Sequence, residues 1–138
     1  MPESRVRGSC LCGSAVYAVD PAGGNFQYCH CSRCRKTGGA AHAANLIVPA
    51  GQFSWVEGEQ HVCQYEHSSA PRYCNAFCSI CGSKLPWRSR DGKWMIVTAG
   101  TLDDDPGLCP ARNIFWGDHA PWLRSPDELP KFDDYPPR

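Results

Sequence analysis

Residues 78–82 read Cys78-Ser79-Ile80-Cys81-Gly82, and far upstream residues 8–13 read Gly8-Ser9-Cys10-Leu11-Cys12-Gly13. A C-x-x-C-G turn lets two thiolates converge on one ion, while the glycine relieves the tight backbone. Cys10 and Cys12 supply a second pair, because residues two apart in an extended segment share a face. Two such halves from distant parts of the chain make a closed tetrahedron of four thiolates, the usual form of a structural zinc site. Sites of this kind contribute about 10–16 kcal/mol to the folding of small peptides. A whole domain has a net stability of only about 5–15 kcal/mol. The fold is therefore expected to depend on a metal that ties the N-terminal hairpin to the strand after Phe77.

A second cluster, Cys29-His30-Cys31-Ser32-Arg33-Cys34, is built differently. Cys29 and Cys31 share one face of a strand end and Cys34 follows after a turn. His30, between them, is expected to point the opposite way. Three thiolates leave a fourth position for a guest, the mark of a catalytic zinc. The same spacing admits a second structural zinc, completed by Cys63, Cys74, Cys109, His42 or His119. Outside that role, Cys63, Cys74 and Cys109 read as small buried hydrophobes with inert thiols.

Composition narrows the setting in which these clusters work. The chain has 138 residues, with 14 Lys+Arg against 14 Asp+Glu, so its formal net charge is zero. A dedicated nucleic-acid binder should carry a basic excess. No apolar run is long enough to span a membrane, and the start, MPESRVRGSC, has no apolar signal region. The reading is a cytosolic protein, in which ten cysteines point to metal or thiol chemistry rather than to paired disulfides.

The 13 glycines and 12 prolines break the chain into short segments rich in β-branched and aromatic residues. Strands are expected over residues 15–20, 25–30, 43–48, 53–56, 61–67, 72–77 and 112–117. Asp91-Gly92 reads as a type I′ hairpin turn between residues 84–90 and 93–99. One helical turn is expected over residues 125–129, with Ser125 capping against Glu128 and Pro126 at the first helical position. The domain organisation is one unit over residues 1–138, with a core at about 5–124 and an extended tail at 125–138. Its class is mostly β: short antiparallel strands and hairpins with little helix.

With these motifs in place, the chain resembles the glutathione-dependent formaldehyde-activating enzymes, grouped with the centromere protein V domain. The matching stretches are GSCLCGSAVY at residues 8–17, YCHCSRCRKTGGA at 28–40, FCSICGSKLPW at 77–87 and TAGTLDDDP at 98–106. IFWGDHAPW at 114–122 and the LPKFDDYP ending match as well. The resemblance implies a zinc-bound fold of the β-tent kind with two zincs per chain. Cys10, Cys12, Cys78 and Cys81 would hold the structural ion, and Cys29, Cys31 and Cys34 the second. It also implies a small-molecule thiol partner, glutathione, and the joining of glutathione to formaldehyde as S-(hydroxymethyl)glutathione.

Other residues carry weaker expectations. Arg33, Arg35 and Lys36 are candidates to meet a carboxylate, or form a solvated basic turn. Residues 37–39, Thr-Gly-Gly, read as a turn, and residues 103–105, three aspartates, as a solvent-facing loop. His119 reads as a surface histidine packed on indole, with an acid/base role near the zinc as the sharper alternative. Trp55, Trp87 and Trp94 read as core or sheet-face aromatics. The leading functional reading is a zinc-dependent carbon–sulfur lyase. Its rival is a non-catalytic binding module whose metals are purely structural. A redox protein is disfavoured, because both CxxC pairs serve better as ligands.

Overall fold

The computed structural model describes residues 5–138. Residues 1–4 of the expected domain lie outside the described residues. Among the described residues eleven short strands form three sheets, with one α-helix at the surface, as the mostly-β reading expects. The first sheet joins β1 (Val6–Ser9), β2 (Val16–Val19) and β5 (Phe53–Glu57). The central sheet contains β3 (Asn25–Cys29), β4 (Ala43–Pro49), β9 (Trp87–Arg88), β10 (Trp94–Thr98) and β11 (Arg112–Ile114), in the order β11-β3-β4-β10-β9. The third joins β6 (Val62–Glu66), β7 (Cys74–Cys78) and β8 (Lys84–Leu85).

Strand alternation divides the central sheet into two faces. On one face Leu46, Val48, Met95 and Val97 pack with Tyr17, Val19 and Phe53 of the first sheet to make the main core. On the other, Gln27, Cys29, Ala43, Asn45, Ile47 and Ile96 line a cavity. A smaller core of Cys10, Ala15, Ala76, Cys78 and Leu85 joins the first hairpin to the third sheet. Two prospective metal ligands are thus core residues themselves.

Several local expectations change. Helix α1 (Ser32–Gly38) occupies the region read as turns; Cys31 caps its start by accepting the Cys34 N–H, and Gly39 ends it in the left-handed region. None of its residues is buried, so it carries no apolar stripe for periodicity to detect. Cys10 and Cys12 lie on a turn after β1, closed by the Gly13 N–H donating to the Cys10 carbonyl, rather than on an extended segment. The last strand stops at Ile114, because Phe115 turns left-handed at φ 53°, and it pairs in parallel with β3. At residues 84–90, Pro86 separates β8 from β9, which belong to different sheets. The following loop is not type I′: Gly92 has a positive φ but Asp91 does not.

The turn at Pro126–Glu128 forms with Pro126 first, yet Ser125 makes no side-chain cap. The aspartates at 103–105 do more than face solvent. Asp103 accepts from the Ser9 hydroxyl at 2.7 Å and Asp104 from the Arg7 N–H at 2.8 Å, clamping β1. Trp55 and Trp87 pack beside the smaller core, whereas Trp94 is largely exposed.

The loop between β5 and β6 passes close under the first hairpin at Gly58. Its φ is +81°, and a Cβ there would overlap the Ser14 carbonyl. Gly58→Ala is expected to destabilise the protein by about 2–4 kcal/mol, combining left-handed strain with overpacking. Chemical denaturation of the metal-loaded protein measures it.

Candidate metal centres

Cys10, Cys12, Cys78 and Cys81 bring their four sulfurs together, all within 4.8 Å of one another. Cys10 and Cys12 Sγ are 3.6 Å apart, and Cys12 and Cys78 Sγ are 3.9 Å apart. A tetrahedron with metal–sulfur bonds of about 2.3 Å sets its sulfurs about 3.8 Å apart. A disulfide needs about 2.05 Å, and all ten cysteines are free. The donor set therefore fits a tetrahedral thiophilic ion.

Each sulfur also has a local polar neighbour. The Ala15 N–H donates to Cys10 Sγ at 3.3 Å and the Ile80 N–H to Cys78 Sγ at 3.4 Å. The hydroxyls of Ser14 and Ser83 lie 3.0 and 3.2 Å from Cys12 and Cys81. Ser83 holds the Cys81 thiol down at about 5, and Ser14 lowers that of Cys12. Burial pushes Cys10 up.

Cys29, Cys31 and Cys34 form a second group within the same spacing. Their positions follow from three different devices. Cys29 ends β3, Cys31 is the helix N-cap, and Cys34 lies in the first turn of α1. Hydrogen bonding with Cys34 holds the Cys29 thiol down at about 6, while the same bond and burial push Cys34 well up.

Among the described residues no fourth His, Cys, Asp or Glu joins this group. His30 is buried facing away, with Nε2 2.9 Å from Asn113 Oδ1 and its ring against His42 and Trp116. His119 is exposed and stacked on Trp116, at a ring separation of 4.2 Å. Of the other prospective completers, Cys63 is half-buried and Cys109 exposed, so only Cys74 matches the buried-hydrophobe expectation.

The three-thiol group opens onto a cavity of about 740 Å³, whose wall also includes Cys74. Three cations, Arg33, Arg72 and Lys84, line it, and among the described residues no carboxylate does. Lys84 Nζ donates to Thr37 Oγ1 at 3.0 Å, and Tyr73 donates to the same oxygen at 2.7 Å. Thr37 in turn donates to the Arg33 carbonyl at 2.9 Å. Burial lowers the Lys84 pKa, and the nearby Cys34 and Cys31 thiols oppose that shift. Lys84, Arg72 and Tyr73 were not singled out from the sequence. The available signal was a lysine placed between Cys81 and an otherwise apolar Leu-Pro-Trp run.

The comparisons agree with this architecture. Residues 5–118 match the model of the glutathione-dependent formaldehyde-activating enzyme family. The chain belongs to that family. A Halomonas elongata protein whose name places it in the same family is 38% identical over 118 residues, covering 78% of this chain and 71% of its own. A crystal structure of a Rhodobacter sphaeroides protein superposes with a TM-score of 0.61 at 22% identity, covering 78% of this chain and 98% of that one, and shows the fold. No helix among the described residues is long and apolar enough to cross a membrane.

Elemental analysis of the purified protein is expected to find two metal ions per chain. A Cys29→Ala/Cys34→Ala double variant should remain folded, lose one of them and retain the other.

Proposed function

We propose that the chain is a zinc-dependent carbon–sulfur lyase acting on glutathione–aldehyde adducts such as S-(hydroxymethyl)glutathione, or on a related thiol adduct. The observation that carries this reading is the contrast between two sulfur clusters. One supplies four thiols, enough to close a tetrahedral shell. The other supplies three and faces a cavity lined by cations. We assign Cys10, Cys12, Cys78 and Cys81 to a structural zinc and Cys29, Cys31 and Cys34 to the zinc at which substrate reacts.

In the lyase direction, the carbon–sulfur bond of the adduct breaks and its electron pair stays on sulfur. The adduct hydroxyl loses its proton, and the carbon becomes an aldehyde carbonyl. In the joining direction, the thiol loses its proton, sulfur bonds to the carbonyl carbon, and the oxygen takes up a proton. A zinc held by Cys29, Cys31 and Cys34 would supply positive charge that favours the thiolate form of a substrate sulfur.

The protein's own groups orient the rest of the molecule. Lys84 has no carboxylate partner among the described residues. With one donor on Thr37, it has two left for a substrate carboxylate. Thr37, fixed to the Arg33 carbonyl and receiving the Tyr73 hydroxyl, sets where that ammonium stands. Arg33 and Arg72 add charge for a second carboxylate, as glutathione carries two.

Zinc X-ray absorption with and without glutathione tests the assignment. Average sulfur coordination should rise when glutathione is added, as one of two sites goes from three sulfurs to four. Two sites fully closed by protein and indifferent to glutathione would instead favour the binding module. Cys31→Ala should remain folded yet lose turnover of S-(hydroxymethyl)glutathione, whereas Cys78→Ala should unfold, as melting curves will show. Equal collapse of both would remove the division of roles. Lys84→Met is expected to lower kcat/KM by about tenfold, mostly through KM, by removing a charge-assisted hydrogen bond.

A further inference from the structure

The stretch of cavity wall beside Cys29 is apolar in a way that a one-carbon aldehyde makes little use of. Ile114 stands directly across from Cys29 in the parallel β11–β3 pair. Adjacent strands are about 4.8 Å apart, so Ile114 and the next residue, Phe115, flank the metal-binding end of the cavity. Both line it, together with Ala43, Ala70 and Pro71. The three cations of the same cavity would attract the charged ends of glutathione. The aldehyde-derived carbon of S-(hydroxymethyl)glutathione, which carries only hydrogens and a hydroxyl, would cover little of that apolar wall.

Phe115 sharpens the point. It is the only non-glycine with positive φ among the described residues, at φ 53° and ψ 41°. A bulky aromatic rarely occupies this region, and such outliers persist only where the surroundings impose them. Here backbone bonds on both sides do so: the His30 N–H donates to the Ile114 carbonyl at 3.0 Å and the Asp118 N–H to the Phe115 carbonyl at 3.0 Å. Yet the residue is 61% exposed, so burial within the protein does not offset the strain. An aromatic ring held in an unfavourable backbone state beside a substrate cavity, and not packed in the core, is suited to contact a ligand.

Building on the lyase reading, we propose that the substrates of this chain are thiohemiacetals of larger apolar aldehydes, with Ile114 and Phe115 contacting the aldehyde-derived substituent. Phe115 is then the specificity-determining residue, and Lys84, Arg33 and Arg72 hold the thiol moiety irrespective of the aldehyde. The chemistry is unchanged. The carbon–sulfur bond cleaves with its electrons to sulfur, and the hydroxyl proton departs as the larger aldehyde forms.

Stable thioethers test this without relying on turnover. Calorimetric titration of the zinc-loaded protein should show S-benzylglutathione binding about tenfold or more tightly than S-methylglutathione. Phe115→Gly, which suits a left-handed backbone, should cut that ratio to about twofold. Phe115→Tyr should preserve it. A wild-type ratio near one, or a high ratio that Phe115→Gly leaves intact, overturns the proposal. Turnover of S-(hydroxymethyl)glutathione, measured on the same protein, separates the two readings. If it proceeds while the ratio is near one, only the preference for apolar aldehydes fails. If neither thioether binds and no adduct is turned over, the lyase reading fails and takes this proposal with it.

Discussion

The convergence of four sulfurs from residues 10, 12, 78 and 81 is the constraint on which the molecule's organisation rests. It joins a turn after the first strand to a turn after the seventh, across more than sixty residues of intervening chain. The same junction also holds a small core of Ala15, Ala76, Leu85 and two of the cysteines, with Trp55, Val62 and Trp87 packed against it, and the Leu11 N–H donates to Ser83 Oγ across it. A metal–thiolate shell is directional as well as strong, so an ion held there would set the angle between hairpin and sheet as well as their proximity.

The central sheet converts this anchoring into a site. Its strands alternate between a core face and a cavity face, and Cys29 falls on the cavity side because it is two residues from Gln27 and four from Asn25 on β3. His30, one residue further, lands on the opposite side, among Tyr28, His42 and Trp116. A one-residue slip in the β3–β4 register would exchange these roles and destroy the three-sulfur group. The core contacts of Leu46 and Val48 on the reverse face therefore protect the position of Cys29, since they hold β4 in its observed register.

Much of this was legible in the chain itself, for a chemical reason. Cysteine spacing is a short-range signal, and the two clusters need only local geometry to be recognised. The strands at residues 43–49 and 53–57 were legible because they are short runs rich in aliphatic and aromatic residues between glycine and proline breaks. Helix α1 was not, because a surface helix capped by Cys31 and Gly39 buries nothing and has no periodic face. The cavity wall was hidden for a different reason. Lys84 reaches Thr37 from 47 residues away, and Ile114 reaches Cys29 from 85 residues away. Such proximities are set by sheet order and by a parallel pairing that no turn motif announces.

That parallel pairing has a consequence for the order in which the protein acquires its properties during synthesis. Every cysteine of both clusters precedes residue 82, while the strand that lines the substrate end spans residues 112–114. A nascent chain could thus capture its ions well before its recognition wall emerges from the ribosome. On the proposed roles, all the metal ligands are translated before the residues that would read the substrate, so a chain interrupted between them would keep the ligands and lack the wall.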